Sequence, residues 1–263
     1  MRKLVLGLLL PIGFLGVAAT AHANTLQEIQ NTKVLKVCMW PDYFGISYRN
    51  PRSGALQGID IHLSRDLAQE LGVKLQYVET NFANVVADVE SRKCHIAMMG
   101  VGVIPSRAER VDFSAPYLRS DVYAVTSKSN AAIKTWDDID RPGRVVSVLK
   151  GTFMDPLMKK TLKQATVQVA ERPGERERDV ESGRADVFMT DYPYTQRMLA
   201  NTDWARVIPP TMPIQPTDYA YAVPKGDSAW LARVNQFVAK IKQDGRLEKY
   251  ATEYKLQQIV VKD

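Results

Sequence analysis

Hydrophobic positions in this chain follow two alternating periods. Short apolar runs at 35–39, 74–78 and 94–99 are bounded by turn residues, as strands buried on both faces are. Between them, Leu63, Leu67, Ala68 and Leu71 recur at helical spacing; Asp60 is the expected N-cap and Gly72 the expected stop. Val85, Val86 and Val89 mark a second helix. The same grammar restarts after a helical turn at 136–139: strand 145–149, the turn Gly151-Thr152, helix 155–162, strand 166–170, helix 174–182, strand 185–190, then a helix opening at Tyr192-Pro193 under Asp191 as cap. Helix 174–182 alternates charge and is expected to be solvated surface. Two β-α-β units in succession predict an α/β fold of two lobes, each a parallel-type sheet flanked by helices. Extended stretches at 121–127 and 218–223 flank the second unit, so two hinge strands are expected to join the lobes. Trp230, Leu231, Val234, Phe237, Val238 and Ile241 form one amphipathic helix; Leu247, Tyr250, Ala251 and Tyr254 form another, packing back onto the first lobe. The expected division is 24–120 plus 222–263 for lobe one and 121–221 for lobe two.

The first residues stand outside this scheme. Met1-Arg2-Lys3 is basic, 4–19 is apolar, and Ala21-His22-Ala23 is a small-x-small site, so 1–23 reads as a secretory signal peptide cleaved after Ala23. A permanent anchor is the alternative, disfavoured because Pro11, Gly13 and Gly16 interrupt the apolar run. Cleavage removes two cations and no acid, lowering the formal charge of +6 by two. That residual charge, without a basic run interleaved with aromatics, gives no ground for a nucleic-acid partner. A soluble, exported, periplasmic monomer is expected, without a lipid-anchored amino terminus. Cys38 and Cys94 would enter an oxidising compartment, where pairing is the default. Read as residues of adjacent parallel strands, they stand about four residues out of register, over 10 Å apart, so no disulfide is expected. His22, His62 and His95 show no metal-ligand spacing; no metal and no cofactor is expected.

The candidate chemistry gathers around 102–117. A strand leads through Gly100 and Gly102 into a helix start carrying Pro105 and Arg107, a seat for a carboxylate or phosphate. In open parallel sheets ligands bind beyond the carboxyl ends of strands. Trp40, Tyr43, Phe82, Gly100, Gly102, Arg107, the Gly151-Thr152 turn and Asp191 all stand at such ends. Arg107 would come from one lobe and Asp191 from the other, gripping the two ends of a zwitterion.

Several motifs then converge. Gly58-Ile-Asp-Ile-His-Leu63 is similar to GFDIDL; Ile104-Pro-Ser-Arg107 with Val111-Asp-Phe-Ser-Ala-Pro-Tyr117 is similar to TPERxxxVDFSxPY. Val148-Leu-Lys-Gly-Thr152, Gly183-Arg-Ala-Asp186 before Thr190-Asp191, and Asp244-Gly245 follow in the right order. Together they resemble the bacterial solute-binding proteins, family 3, that serve ABC transporters for polar amino acids. The resemblance implies a periplasmic-binding-protein fold and delivery of an amino acid or related carboxylate to a membrane permease. It further implies that Arg107 clamps the α-carboxylate, Asp191 receives the α-amino group, Tyr43 and Phe82 sandwich the side chain, and Thr152 offers its backbone N–H. Three positions depart from the pattern. Gly102 replaces a hydroxyl residue, Ile104 replaces threonine, and Trp40 stands where binders of basic amino acids carry aspartate. An aromatic, aliphatic or small polar ligand is therefore expected, or one that is not a standard α-amino acid. Two rivals remain: a sensing accessory protein, and an enzyme like the cyclohexadienyl or arogenate dehydratases. Those dehydratases use a glutamate general acid three residues after the aspartate, where this chain has Tyr194. A phenol is a poor acid at neutral pH, so no catalysis is expected.

Overall fold

The structure, a computed structural model, describes residues 24–262; the expected signal peptide and its cleavage point lie outside them. In chain order the first half runs α1 (Thr25–Thr32), β1 (Val34–Met39), β2 (Asp42–Tyr43), β3 (Ser47–Arg49), β4 (Leu56–Gln57), α2 (Ile59–Leu71), β5 (Lys74–Glu79), α3 (Val85–Glu90), β6 (Ile96–Gly102), α4 (Pro105–Ala108), β7 (Val111–Phe113) and β8 (Leu118–Ser120). Then come β9 (Val122–Ser127), β10 (Val145–Leu149), α5 (Met154–Thr161), β11 (Thr166–Ala170), α6 (Glu175–Glu181), β12 (Val187–Asp191), α7 (Tyr192–Asn201), β13 (Ala205–Ile208), β14 (Thr217–Pro224), α8 (Ser228–Gln243) and α9 (Arg246–Glu253).

Two lobes result, built on one plan. The first sheet has the order β5-β1-β6-β14-β7, with β8 also on β14; the second has the order β11-β10-β12-β9-β13. In each, three parallel strands carry the helical crossovers, and an antiparallel strand follows: β14 on β6 and β9 on β12. The periodicity gave the parallel cores; the short strands β2, β3 and β4, which form a third small sheet, carry too few alternating positions to be visible in it.

The chain crosses between lobes at Asp121 and between β13 and β14. One side chain joins the two crossings: the Asp121 carboxylate accepts from the Ile214 N–H at 3.0 Å, the Gln215 N–H at 2.9 Å and its neighbour Val122 N–H at 2.7 Å. Strand β14 lies in the first sheet along its whole length, so the chain is back before Thr217 rather than at the expected 221/222. The return helix α8 buries Trp230, whose indole N–H donates to the His95 carbonyl at 2.8 Å. Helix α9 is tied to α2 by Arg246, which pairs with Glu70 at 2.8 Å.

The expectation of two unpaired cysteines is overturned: Cys38 and Cys94 form a disulfide, with Cα atoms 5.5 Å apart. The argument against it extended the strand through Cys94, but regular pairing on β1 starts at Ile96, opposite Val37. Residues 93–95 bend after Arg92, which sits at φ 56°, and this folds Cys94 back towards Cys38. Closing a loop of 56 residues' separation constrains the unfolded chain by about 4 kcal/mol.

Asp60 is not the cap of α2 either. That position is Gly58, at φ 127°, where a Cβ would stand 2.3 Å from the Ile46 carbonyl oxygen. Asp60 instead points inward, fully buried, and accepts from the Tyr117 hydroxyl at 2.6 Å, the Gly100 N–H at 2.9 Å and the Tyr221 hydroxyl at 3.2 Å. Burial pushes its carboxyl up to about 7, with the three donors pulling back only part of the rise. The folded state thus holds this proton more tightly than the unfolded chain. Its contribution to stability is complete below the ordinary value of 3.8 and is lost as pH rises through about 7. Asp60→Asn should flatten the decline in unfolding free energy between pH 4 and 8 seen in urea titrations; an unchanged slope would assign it to another group.

Candidate functional site

The carboxyl ends of β1, β5, β6, β10 and β12 face one another across the lobes, and a small hollow lies between them. Trp40, Tyr43, Phe82, Gly100, Gly102, Arg107, Thr152 and Asp191 all line the hollow.

Three rings form one corner. Trp40 leaves β1, Tyr43 ends β2, and Phe82 follows β5 in a turn held by the Asn81 side chain, which accepts from the Ala83 and Asn84 N–H groups at 3.0 Å each. Their centroids are 5.6, 5.3 and 5.6 Å apart, and the planes are tilted by 45° to 77°. Gly100, at φ 59°, lets Tyr43 press against β6: a Cβ there would stand 3.0 Å from its ring.

Arg107 lies on α4, a single turn and therefore a weak helix end. Its guanidinium folds back along β6, donating to the Gly102 carbonyl at 2.9 Å and, across the cleft, to the Gly151 carbonyl at 3.0 Å. The Phe82 ring centroid is 5.7 Å away. The residue is 6% exposed, and among the described residues no carboxylate lies within ion-pair distance of it. Burial lowers its pKa to about 10, offset only slightly by the hydroxyls of Tyr219 and Tyr43. Two of its five N–H groups are used, so three remain for an anion.

Asp191 does cap α7, accepting from the Tyr194 N–H at 3.2 Å. Its other oxygen accepts from the Tyr219 hydroxyl at 2.6 Å and from the Tyr43 hydroxyl, which reaches it from the opposite lobe. Burial, then the adjacent Asp191 charge, raises both phenols above their ordinary range. Thr152 lines the wall, but its N–H and its hydroxyl both donate to the Leu149 carbonyl, at 3.2 and 2.7 Å, because the turn after β10 is tight. The expected backbone donor is committed to that turn.

Sequence reasoning missed Tyr219 and Arg176. Tyr219 sits in a stretch read only as hinge. Arg176, on the helix read as solvated surface, is 3% exposed and lines the hollow. It donates to the Met189 carbonyl at 2.8 Å, pairs with Glu177 at 2.9 Å and lies over the Tyr194 ring at 4.3 Å. A signal existed: Val180 is the single apolar residue of α6 and defines its buried face, and Arg176 lies one turn before it. Outside the hollow, Arg197 of α7 pairs with Asp42 at 2.6 Å, a second clasp across the cleft. No cluster of His, Cys, Asp or Glu among the described residues could hold a metal, and no helix among them is long and apolar enough to cross a membrane.

The chain is similar in sequence and fold to known proteins. Over 228 residues the chain is 29% identical to cyclohexadienyl dehydratase of Pseudomonas aeruginosa, covering 86% of this chain and 84% of that one. It is 25% identical over 240 residues to the L-cystine-binding protein TcyJ of Escherichia coli, with 89% and 87% covered. Among solved structures, an ancestral amino acid-binding protein, a precursor of cyclohexadienyl dehydratase, superposes with a TM-score of 0.79 at 32% identity, covering 88% of this chain and 99% of that one. The binding protein AbpA of Streptococcus pneumoniae, bound to L-arginine, gives 0.80 at 26% identity, with 88% and 98% covered. The sequence model of one family matches residues 35–257, which span both sheets and every residue of the hollow, and the chain belongs to that family, the bacterial extracellular solute-binding proteins, family 3.

Proposed function

We propose that this protein captures a small carboxylate-bearing zwitterion between its lobes in the periplasm and delivers it to an ABC transporter permease. The observation that carries this reading is Arg107: a cation taken out of water, with only carbonyls for partners, at the seam of two lobes. Such a charge is costly unless an anion joins it. Asp191, on the other lobe, supplies the opposite sign. Closure around the ligand would then be favoured by contacts made to both lobes at once. In this reading lobe one comprises 24–120 and 217–262, and lobe two comprises the segment between. Relatives named for amino-acid or cystine binding support it.

The dehydratase relative keeps a catalytic reading in view, and the side chains in the hollow weigh against it. Elimination of water needs a general acid near neutral pH. The lining holds one carboxyl, Asp191, which accepts three hydrogen bonds, and the Tyr43, Tyr194 and Tyr219 hydroxyls, each raised above its ordinary range by burial. A thermal-shift screen of small carboxylates should find a stabilising ligand; at 100 times its Kd the gain is about 2.7 kcal/mol. Incubation with prephenate should yield no phenylpyruvate above the uncatalysed rate. Turnover there would replace the binding reading with the enzymatic one.

A further inference from the structure

We infer that the preferred ligand is an N-alkylated amino acid, with a fully methylated ammonium as the limiting case, rather than a primary amine. The inference rests on the proposal that the site takes a carboxylate at Arg107, and it concerns the other end of the ligand.

A primary ammonium brings three N–H donors that need acceptors once water is excluded. The acidic group available to receive them is Asp191. A carboxylate has about four acceptor positions. Three are occupied at Asp191, by the Tyr43 and Tyr219 hydroxyls on one oxygen and the Tyr194 N–H on the other. About one is left for a ligand. Asp191 therefore supplies negative charge to this end of the hollow but few hydrogen-bond acceptors.

The surroundings supply what a methylated cation needs. Trp40, Tyr43 and Phe82 meet in one corner, with planes tilted by 45° to 77° and centroids 5.3 to 5.6 Å apart; the Arg107 guanidinium lies over Phe82 at 5.7 Å, which leaves Trp40 and Tyr43 for a ligand cation, and Tyr43 joins that corner to Asp191. Aromatic walls around a desolvated cation attract it through their ring faces, without any N–H donor, and this is how quaternary ammonium groups are recognised. A carboxylate beside such a corner adds charge complementarity at a distance. The second buried cation, Arg176, is paired with Glu177 at 2.9 Å and makes no demand for a second anionic group.

Calorimetric titration of the exported chain with glycine, sarcosine, N,N-dimethylglycine and glycine betaine, and in parallel with proline and its N,N-dimethyl betaine, tests this. The expected result is a Kd that falls with methylation in at least one series, by tenfold or more from first to last member, about 1.4 kcal/mol. Trp40→Leu should erase that preference while far-UV circular dichroism and thermal midpoint show a folded protein. A Kd that rises with methylation, or is flat, overturns the inference and returns Asp191 to the role of ammonium receptor. So does failure of both series to bind. Neither result touches the carboxylate reading, which stands or falls separately on whether Arg107→Ala removes the response to whatever acid the screen finds.

Discussion

Arg107→Ala is expected to abolish ligand binding while leaving a folded and slightly more stable protein. The two halves of that expectation have one cause. The residue is 6% exposed, and its guanidinium donates to the carbonyls of Gly102 and Gly151. Carbonyl hydrogen bonds recover only part of the hydration lost by a buried charge, so removing the side chain relieves a penalty in the ligand-free protein. With a carboxylate in place the balance reverses, because a bidentate, charge-assisted pair in a water-poor cleft is among the stronger polar contacts available. Losing one partner of such a pair costs about 3 kcal/mol, more than a hundredfold in Kd. Calorimetry would read the affinity and thermal denaturation the stability. Arg107→Lys should recover only part, since an ammonium cannot present the planar fork. Affinity unchanged in Arg107→Ala would mean that the carboxylate lies elsewhere.

Gly151→Ala is expected to block lobe closure. Gly151 sits at φ 81°, on the turn after β10, and its backbone meets the Phe82-Ala83 segment of the other lobe. A Cβ there would stand 2.4 Å from the Ala83 nitrogen and 2.8 Å from the Phe82 carbonyl carbon, both backbone atoms that cannot swing away. The lobes would have to separate, withdrawing the Gly151 carbonyl from Arg107. Apparent affinity falls by the fraction of molecules able to close. A closure penalty of about 3 kcal/mol would weaken binding more than a hundredfold. The same substitution also strains the backbone by about 1–2 kcal/mol, whatever lies nearby. Gly143→Ala separates the two effects: Gly143 has φ 78° but open space where the Cβ would go. It should lose comparable stability and keep its affinity. Small-angle scattering should show ligand-induced compaction in the Gly143 variant and none in the Gly151 variant; compaction in both would remove Gly151 from the closing surface.

The periodicity of apolar residues determined the two-lobed α/β plan, because a strand buried on both faces and a helix buried on one leave different repeats, and each repeat is local. The candidate residues at the strand ends were legible for a related reason. In parallel sheets the carboxyl ends all emerge on one side, so Trp40, Phe82, Gly100, Arg107, Thr152 and Asp191 share an edge wherever the helices run. What the sequence could not decide was which group faces which. The pairing of Asp191 with Tyr43 and Tyr219 joins residues 148 and 28 positions apart. Whether an arginine such as 107 meets an acid or a carbonyl depends on angles between lobes that leave no trace in spacing. Arg176 was misplaced because charge pattern reports composition, and burial is decided by what packs above the helix. Cys38 and Cys94 were misjudged because a bend of three residues shortens a distance that regular strand geometry makes too long. Local repeats belong to the chain; distances between distant side chains belong to the folded molecule, since only packing sets them.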